Sequence, residues 1–154
     1  MTPEDKLAAL GLALPAPAAP VANYVPWTRS GDTVFISGQI SMTAREIVQG
    51  RLGEDLTVER GQHAARLCAL NLLSLMQEAA GGLDNVARVL KLGGFVQATT
   101  RCDGRDIPAI INGASDLMVE VLGDRGRHAR AAVSAPTLPL GVAVEIDAVL
   151  EVRG

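Results

Sequence analysis

Hydrophobic positions along this chain follow two rhythms, one with a helical period and one that alternates. Between Thr57 and Gly81, residues Ala64, Ala65, Leu67, Cys68, Leu72, Leu73, Leu75 and Met76 cover more than one helical face, which predicts a long helix with contacts on several sides. Thr57 stands as its N-cap ahead of Glu59 and Arg60, and Gly81-Gly82 supplies the stop. A second stripe, from Ile107 through Ile110, Ile111, Ala114, Leu117, Met118 and Val121 to Leu122, predicts a more cleanly amphipathic helix ending at Gly123.

Alternation marks the strands. Aromatic and β-branched residues over Tyr24–Trp27 and Thr33–Ser37 flank the turn signal Ser30-Gly31-Asp32 and predict an antiparallel pair. Further strands are expected within Val86–Thr99, at Arg130–Ala135 and at Val142–Val152, with a short one near Ile47. In the last, Val144, Ile146, Ala148, Leu150 and Val152 share one face and Glu145, Asp147, Val149 and Glu151 the other. Thr2, Pro3 and Asp5 predict a short N-terminal helix stopping at Gly11, and the proline-rich stretch Leu14–Pro20 predicts an extended link.

These elements predict one α+β domain over residues 1–154, with residues 1–20 as an N-terminal helix and Pro-rich extension. Two main helices pack on one face of a mixed sheet. Strands with apolar residues on both faces, such as Val34-Phe35-Ile36, leave a second face that subunit association is expected to bury.

Composition narrows the function. With 48% hydrophobic and 20% charged residues the chain has the apolar surface for a core, which excludes disorder. A net charge of −3 and only one Trp, one Tyr and two Phe count against a nucleic-acid partner, which needs cationic surface and stacking platforms. The opening Met1-Thr2-Pro3-Glu4-Asp5-Lys6 has no secretory pattern, and no apolar run of about 18 residues follows, so no membrane partner and a cytoplasmic location are expected. Cys68 and Cys102 form no C-x-x-C pair, and His63 and His128 lack clustered ligand spacing, so no metal site is read.

Arg130 is the first candidate for chemistry. It sits among aliphatic residues in Ala129-Arg130-Ala131-Ala132-Val133, where a fixed charge is costly without an anion and a guanidinium fork can clamp a carboxylate. An internal ion pair with Glu145 or Asp147 is the competing reading. Glu145, between Val144 and Ile146 on a strand expected near that of Arg130, can orient a water or relay a proton, while the polar side of an edge strand is its plainer explanation. Ser37-Gly38-Gln39 lacks the nucleophile-elbow pattern, and the glycines at 81, 82, 93 and 94 lack the G-x-G-x-x-G order.

Taken in order, Ala129-Arg130-Ala131-Ala132-Val133, Leu138-Pro139 and Val144-Glu145-Ile146 resemble the signature of the Rid (YjgF-like) family of enamine/imine deaminases, with support from Tyr24, Ser37-Gly38-Gln39 and Asn112. The resemblance implies a chorismate-mutase-like fold and a homotrimer with sites in clefts between subunits. It implies that Arg130 grips the carboxylate of a small 2-imino or 2-enamino acid, that Tyr24, Ser37, Gly38 and Asn112 line the cleft, and that Glu145 handles the attacking water. It also implies hydrolysis to a 2-oxo acid and ammonia without metal or organic cofactor. Ala132 stands where many members have cysteine, and His128 and Pro136 are atypical, which points to a divergent subgroup. A non-catalytic binding module for small carboxylate metabolites is the main alternative. An endoribonuclease or translation inhibitor is a third, disfavoured by the charge and the scarcity of aromatics.

Overall fold

Helical and alternating stretches separate cleanly in the computed structural model, which describes residues 1–17, 19 and 22–154. The order is α1 (Pro3–Ala9), β1 (Trp27–Ser30), β2 (Thr33–Ile40), α2 (Val58–Ala80), β3 (Val86–Gln97), α3 (Asp106–Leu122), β4 (Ala129–Ala135) and β5 (Val144–Val152). The strands form one mixed sheet in the order β1-β2-β5-β3-β4, in which β3 and β4 are parallel and every other pair is antiparallel. The parallel pair requires a crossover, and α3 supplies it.

Local chemistry sets the ends of these elements. Thr2 and Asp5 form a reciprocal capping box at α1. Thr57 Oγ1 accepts the Arg60 N–H at the start of α2, and Gly81 closes that helix in the left-handed conformation, φ 73°. The link expected over Leu14–Pro20 includes residues 18 and 20, which lie outside the described residues. In its described part Leu14 packs on the core, and the Pro15 carbonyl accepts from Ser74 Oγ at 2.6 Å.

The core lies between the helices and one sheet face. Val34, Ile36, Leu92, Val96, Ile146 and Leu150 from the sheet meet Leu72, Leu73, Met76, Ile110, Ile111, Leu117 and Met118 from α2 and α3, all buried. Each such side chain contributes about 1.5–3 kcal/mol when fully removed from water. Where α2 crosses α3, Gly113 faces the Gln62 backbone so closely that a Cβ there would overlap the Gln62 carbonyl oxygen. Cys68 lies in this core, where burial pushes its thiol well up and Glu145 adds to the effect.

The other sheet face has no cover among the described residues. Phe35 and Val133 are about half exposed on it, at 50% and 48%, and Phe95 and Val149 are partly buried. Glu145 and Asp147 stand among them on β5.

Three expectations need correction. The first strand begins at Trp27 instead of Tyr24, because Pro26 has no N–H to contribute, although its carbonyl accepts from the Ser37 N–H at 2.9 Å. Around Ile47 only an isolated bridge to Met42 forms, and Gly50 and Gly53 adopt positive φ just beyond it. Finally, β4 does not neighbour β5. β3 separates them, since β4 arrives from α3 at the free edge of β3 while β5 occupies the other edge. The loop between β4 and β5 is instead tied back by Gln97, whose side-chain amide donates to the Gly50 and Gly141 carbonyls and accepts from the Leu138 N–H.

Candidate functional site

Arg130 lies on the edge strand β4, partly buried, with its side chain on the helix-packed face beside α3. Its Nη1 donates to Asn112 Oδ1 at 2.7 Å and to Ser115 Oγ at 3.2 Å. Both acceptors are uncharged, and no described carboxylate pairs with the guanidinium. The expected competitors, Glu145 and Asp147, do not neutralise it. Nη1 has both its hydrogens engaged, while Nε and Nη2 have no hydrogen-bond partner among the described residues. Together these two atoms form the planar edge that binds a carboxylate through two parallel bonds.

A bulge builds the second group. β2 pairs with β5 through Ile36↔Ala148 and then Gln39↔Ile146, so β2 spends three residues where β5 spends two. Ser37 and Gly38 are the residues at this irregularity. Ser37 Oγ donates to the Val25 carbonyl at 2.8 Å, tethering the segment that carries Tyr24, which is 55% exposed. Glu145 lies directly over Gly38, where a Cβ would stand 2.9 Å from Glu145 Oε1. Burial raises the Glu145 carboxyl above its ordinary value, and nearby Asp147 raises it further. Such a carboxyl is better suited to taking up a proton near neutrality than a solvated one.

The six residues singled out by sequence therefore form two groups. Arg130 and Asn112 meet on the helix side at the β4 edge, and Ser37, Gly38 and Glu145 meet on the open face near β2, with Tyr24 tethered beside them. Arg130 and Glu145 point to opposite faces of one sheet. β2 and β4 are three strand steps apart, about 14 Å at about 4.8 Å per step. One copy of the chain does not bring the two groups onto one ligand.

Comparison with known proteins bears on the fold and the family. A family model described as "YjgF/chorismate_mutase-like, putative endoribonuclease" matches residues 4–150. The chain belongs to the YjgF/chorismate mutase-like family. It is similar to protein TCP17 of Trypanosoma cruzi, 47% identical over 146 residues that cover 94% of this chain and 90% of the relative. The solved structure of Atu1372 from Agrobacterium tumefaciens, a protein of unknown function, is 44% identical with a TM-score of 0.90, covering 98% of this chain and 92% of that one. A "putative endoribonuclease" from Shewanella oneidensis MR-1 is 35% identical with a TM-score of 0.92, covering 99% and 100%.

In this YjgF-like chain the sequence pattern does not single out Ser115, and it marks His128 only as lacking metal-ligand spacing and as atypical of the signature. Their positions carried a signal. Ser115 follows Asn112 by three residues, which places both on one side of a helix, and His128 precedes Arg130 by two, which places both on one side of a strand. Gly38→Ala offers a direct check of the second group. The added methyl must displace the end of the Glu145 side chain, so any activity that depends on this carboxyl is expected to fall at least about tenfold, equivalent to about 1.4 kcal/mol. The thermal midpoint should move little, because the displaced atoms end a flexible side chain.

Proposed function

We propose that this chain hydrolyses small 2-imino and 2-enamino acids to 2-oxo acids and ammonia in a cleft between two copies. Arg130 and Asn112 of one copy would face Tyr24, Ser37, Gly38 and Glu145 of the next. The observation that carries this reading is the guanidinium of Arg130, held by two neutral acceptors, with its Nε–Nη2 edge unclaimed and no carboxylate paired with it among the described residues. The half-exposed apolar residues Phe35 and Val133 on the uncovered face favour association. The family resemblance implies a homotrimer for that assembly.

In this mechanism the Nε–Nη2 edge holds the substrate carboxylate, fixing the imine carbon relative to Glu145. An enamine first tautomerises to the imine. Water then adds to the imine carbon, with Glu145 taking a proton from the water and handing it to the imine nitrogen. The carbinolamine then passes its hydroxyl proton by way of Glu145 to the amino nitrogen, which departs as ammonia and leaves the C=O of the 2-oxo acid. Glu145 alternates between carboxylate and acid, which its raised proton affinity favours.

The test generates 2-aminoacrylate in situ and follows ammonia and pyruvate. Acceleration by the protein supports the reading, and no acceleration across several such acids overturns it. Tight binding of 2-oxo acids without turnover would instead assign a binding module. Mixing Arg130→Ala with Glu145→Gln subunits is expected to restore part of the activity, because some mixed clefts receive both native residues. No recovery after subunit exchange would place both residues in one copy's site.

A further inference from the structure

The hydrogen bonds behind Arg130 continue to a histidine, and their directions follow from the acceptors. His128 Nδ1 lies 2.6 Å from the Gly126 carbonyl, which can only accept, so Nδ1 carries the proton. In the neutral ring Nε2 is then an acceptor, and at 2.9 Å it takes the hydroxyl proton of Ser115. Ser115 Oγ turns a lone pair to Arg130 Nη1. Gly126–His128–Ser115–Arg130 is thus one ordered chain of donors and acceptors, linking a turn, the residue before β4, α3 and β4.

We infer that Ser115 and His128 are positioning residues for Arg130: through Ser115 Oγ the neutral imidazole fixes the guanidinium and couples its grip on a carboxylate to protonation of His128. This deepens the carboxylate-binding reading above and rests on it. Protonated His128 donates from both ring nitrogens, so the Ser115 hydroxyl hydrogen swings away while Oγ, with two lone pairs, accepts from Nε2 and still from Arg130 Nη1. The change also places a second positive charge beside Arg130, which a bound carboxylate offsets. Binding and imidazole protonation therefore favour one another.

The surroundings of His128 leave Arg130 as the charge that acts on it. Burial holds the imidazole below its ordinary value, the Gly126 bond opposes this, and Arg130 lowers it further. Asp124 in the preceding turn is paired with Arg127 at 3.1 Å, and Arg125 is spent on the carbonyls of Leu83, Asp84 and Val86. From β3, Lys91 acts on Asp147 across the sheet. On α3, Ser115 is uncharged and the exposed Asp116 is absent from the influences on the ring.

The chain has only two histidines, His63 and His128, so ring nitrogen NMR of the full protein, assigned with His63→Gln, reads His128 directly. The expected spectrum has the proton on Nδ1 at neutral pH and a titration below that of a solvated imidazole. Saturating pyruvate should move that titration upward, and calorimetry should show tighter pyruvate binding as pH falls through it. Ser115→Ala should weaken binding at neutral pH about threefold to tenfold, the usual worth of one hydrogen bond, and Ser115→Thr should restore it. A proton on Nε2 overturns the inference whatever pyruvate does. So does a His128 titration that pyruvate leaves unmoved while Arg130→Ala abolishes binding, an outcome that leaves the carboxylate site standing. Pyruvate binding that is absent, or equal in wild type and Arg130→Ala, overturns the carboxylate reading and this inference with it.

Discussion

Arg130→Ala is expected to lower kcat/KM for an imino acid at least about a hundredfold, about 2.7 kcal/mol of transition-state stabilisation, while the chain stays folded. The two effects separate because of what the side chain touches. Toward the protein, Arg130 offers two hydrogen bonds to neutral acceptors on a partly buried edge strand, and bonds of that kind contribute about 1 kcal/mol each at most times. Toward a ligand it offers a charged, planar edge. Arg130→Lys keeps the charge and loses the fork, so it should recover only part of the rate. Steady-state kinetics alongside thermal unfolding read both quantities. A variant with full activity would remove Arg130 from the chemistry, and one that unfolds would make it a structural residue.

The largest expected loss of stability comes from Gly113→Ala. Alanine in place of glycine inside a helix ordinarily stabilises by about 1 kcal/mol. Here the new methyl would overlap the Gln62 carbonyl oxygen, a backbone atom that cannot rotate away. Parting two packed helices costs about 1–3 kcal/mol or more, so overpacking should win. A midpoint several degrees lower is expected in calorimetry. Asn112 and Ser115 flank this position on α3, so the variant should also bind pyruvate more weakly than its stability loss alone explains. An unchanged or raised midpoint would show that α2 and α3 separate freely.

How much of this was legible beforehand depended on whether the information was local. Thr57 and Gly81 announced α2, and the alternation from Val144 to Val152 announced β5 with Glu145 on its polar side, because capping and burial act over a few residues. Strand order is decided by pairing between distant segments. Proximity in sequence places the strand of Glu145 near that of Arg130 without fixing their order, and β3, which pairs with both, stands between them. That proximity made Arg130 and Glu145 look like partners within one chain. Asn112 was found through resemblance. Ser115 and His128 were not, because a three-residue and a two-residue spacing acquire meaning only once α3 is known to lie over β4.

The single additional residue in β2 at Ser37-Gly38 restricts how this chain can drift over generations. Many surface substitutions nearby can be tolerated one at a time. Losing one codon there would let Ile36 through Ile40 march in even step with β5, leaving Gln39 and Ile40 opposite Ile146 and Glu145 but removing the irregularity and with it the shallow seat on which Glu145 rests. At this point in the molecule, length is a heritable constraint in its own right.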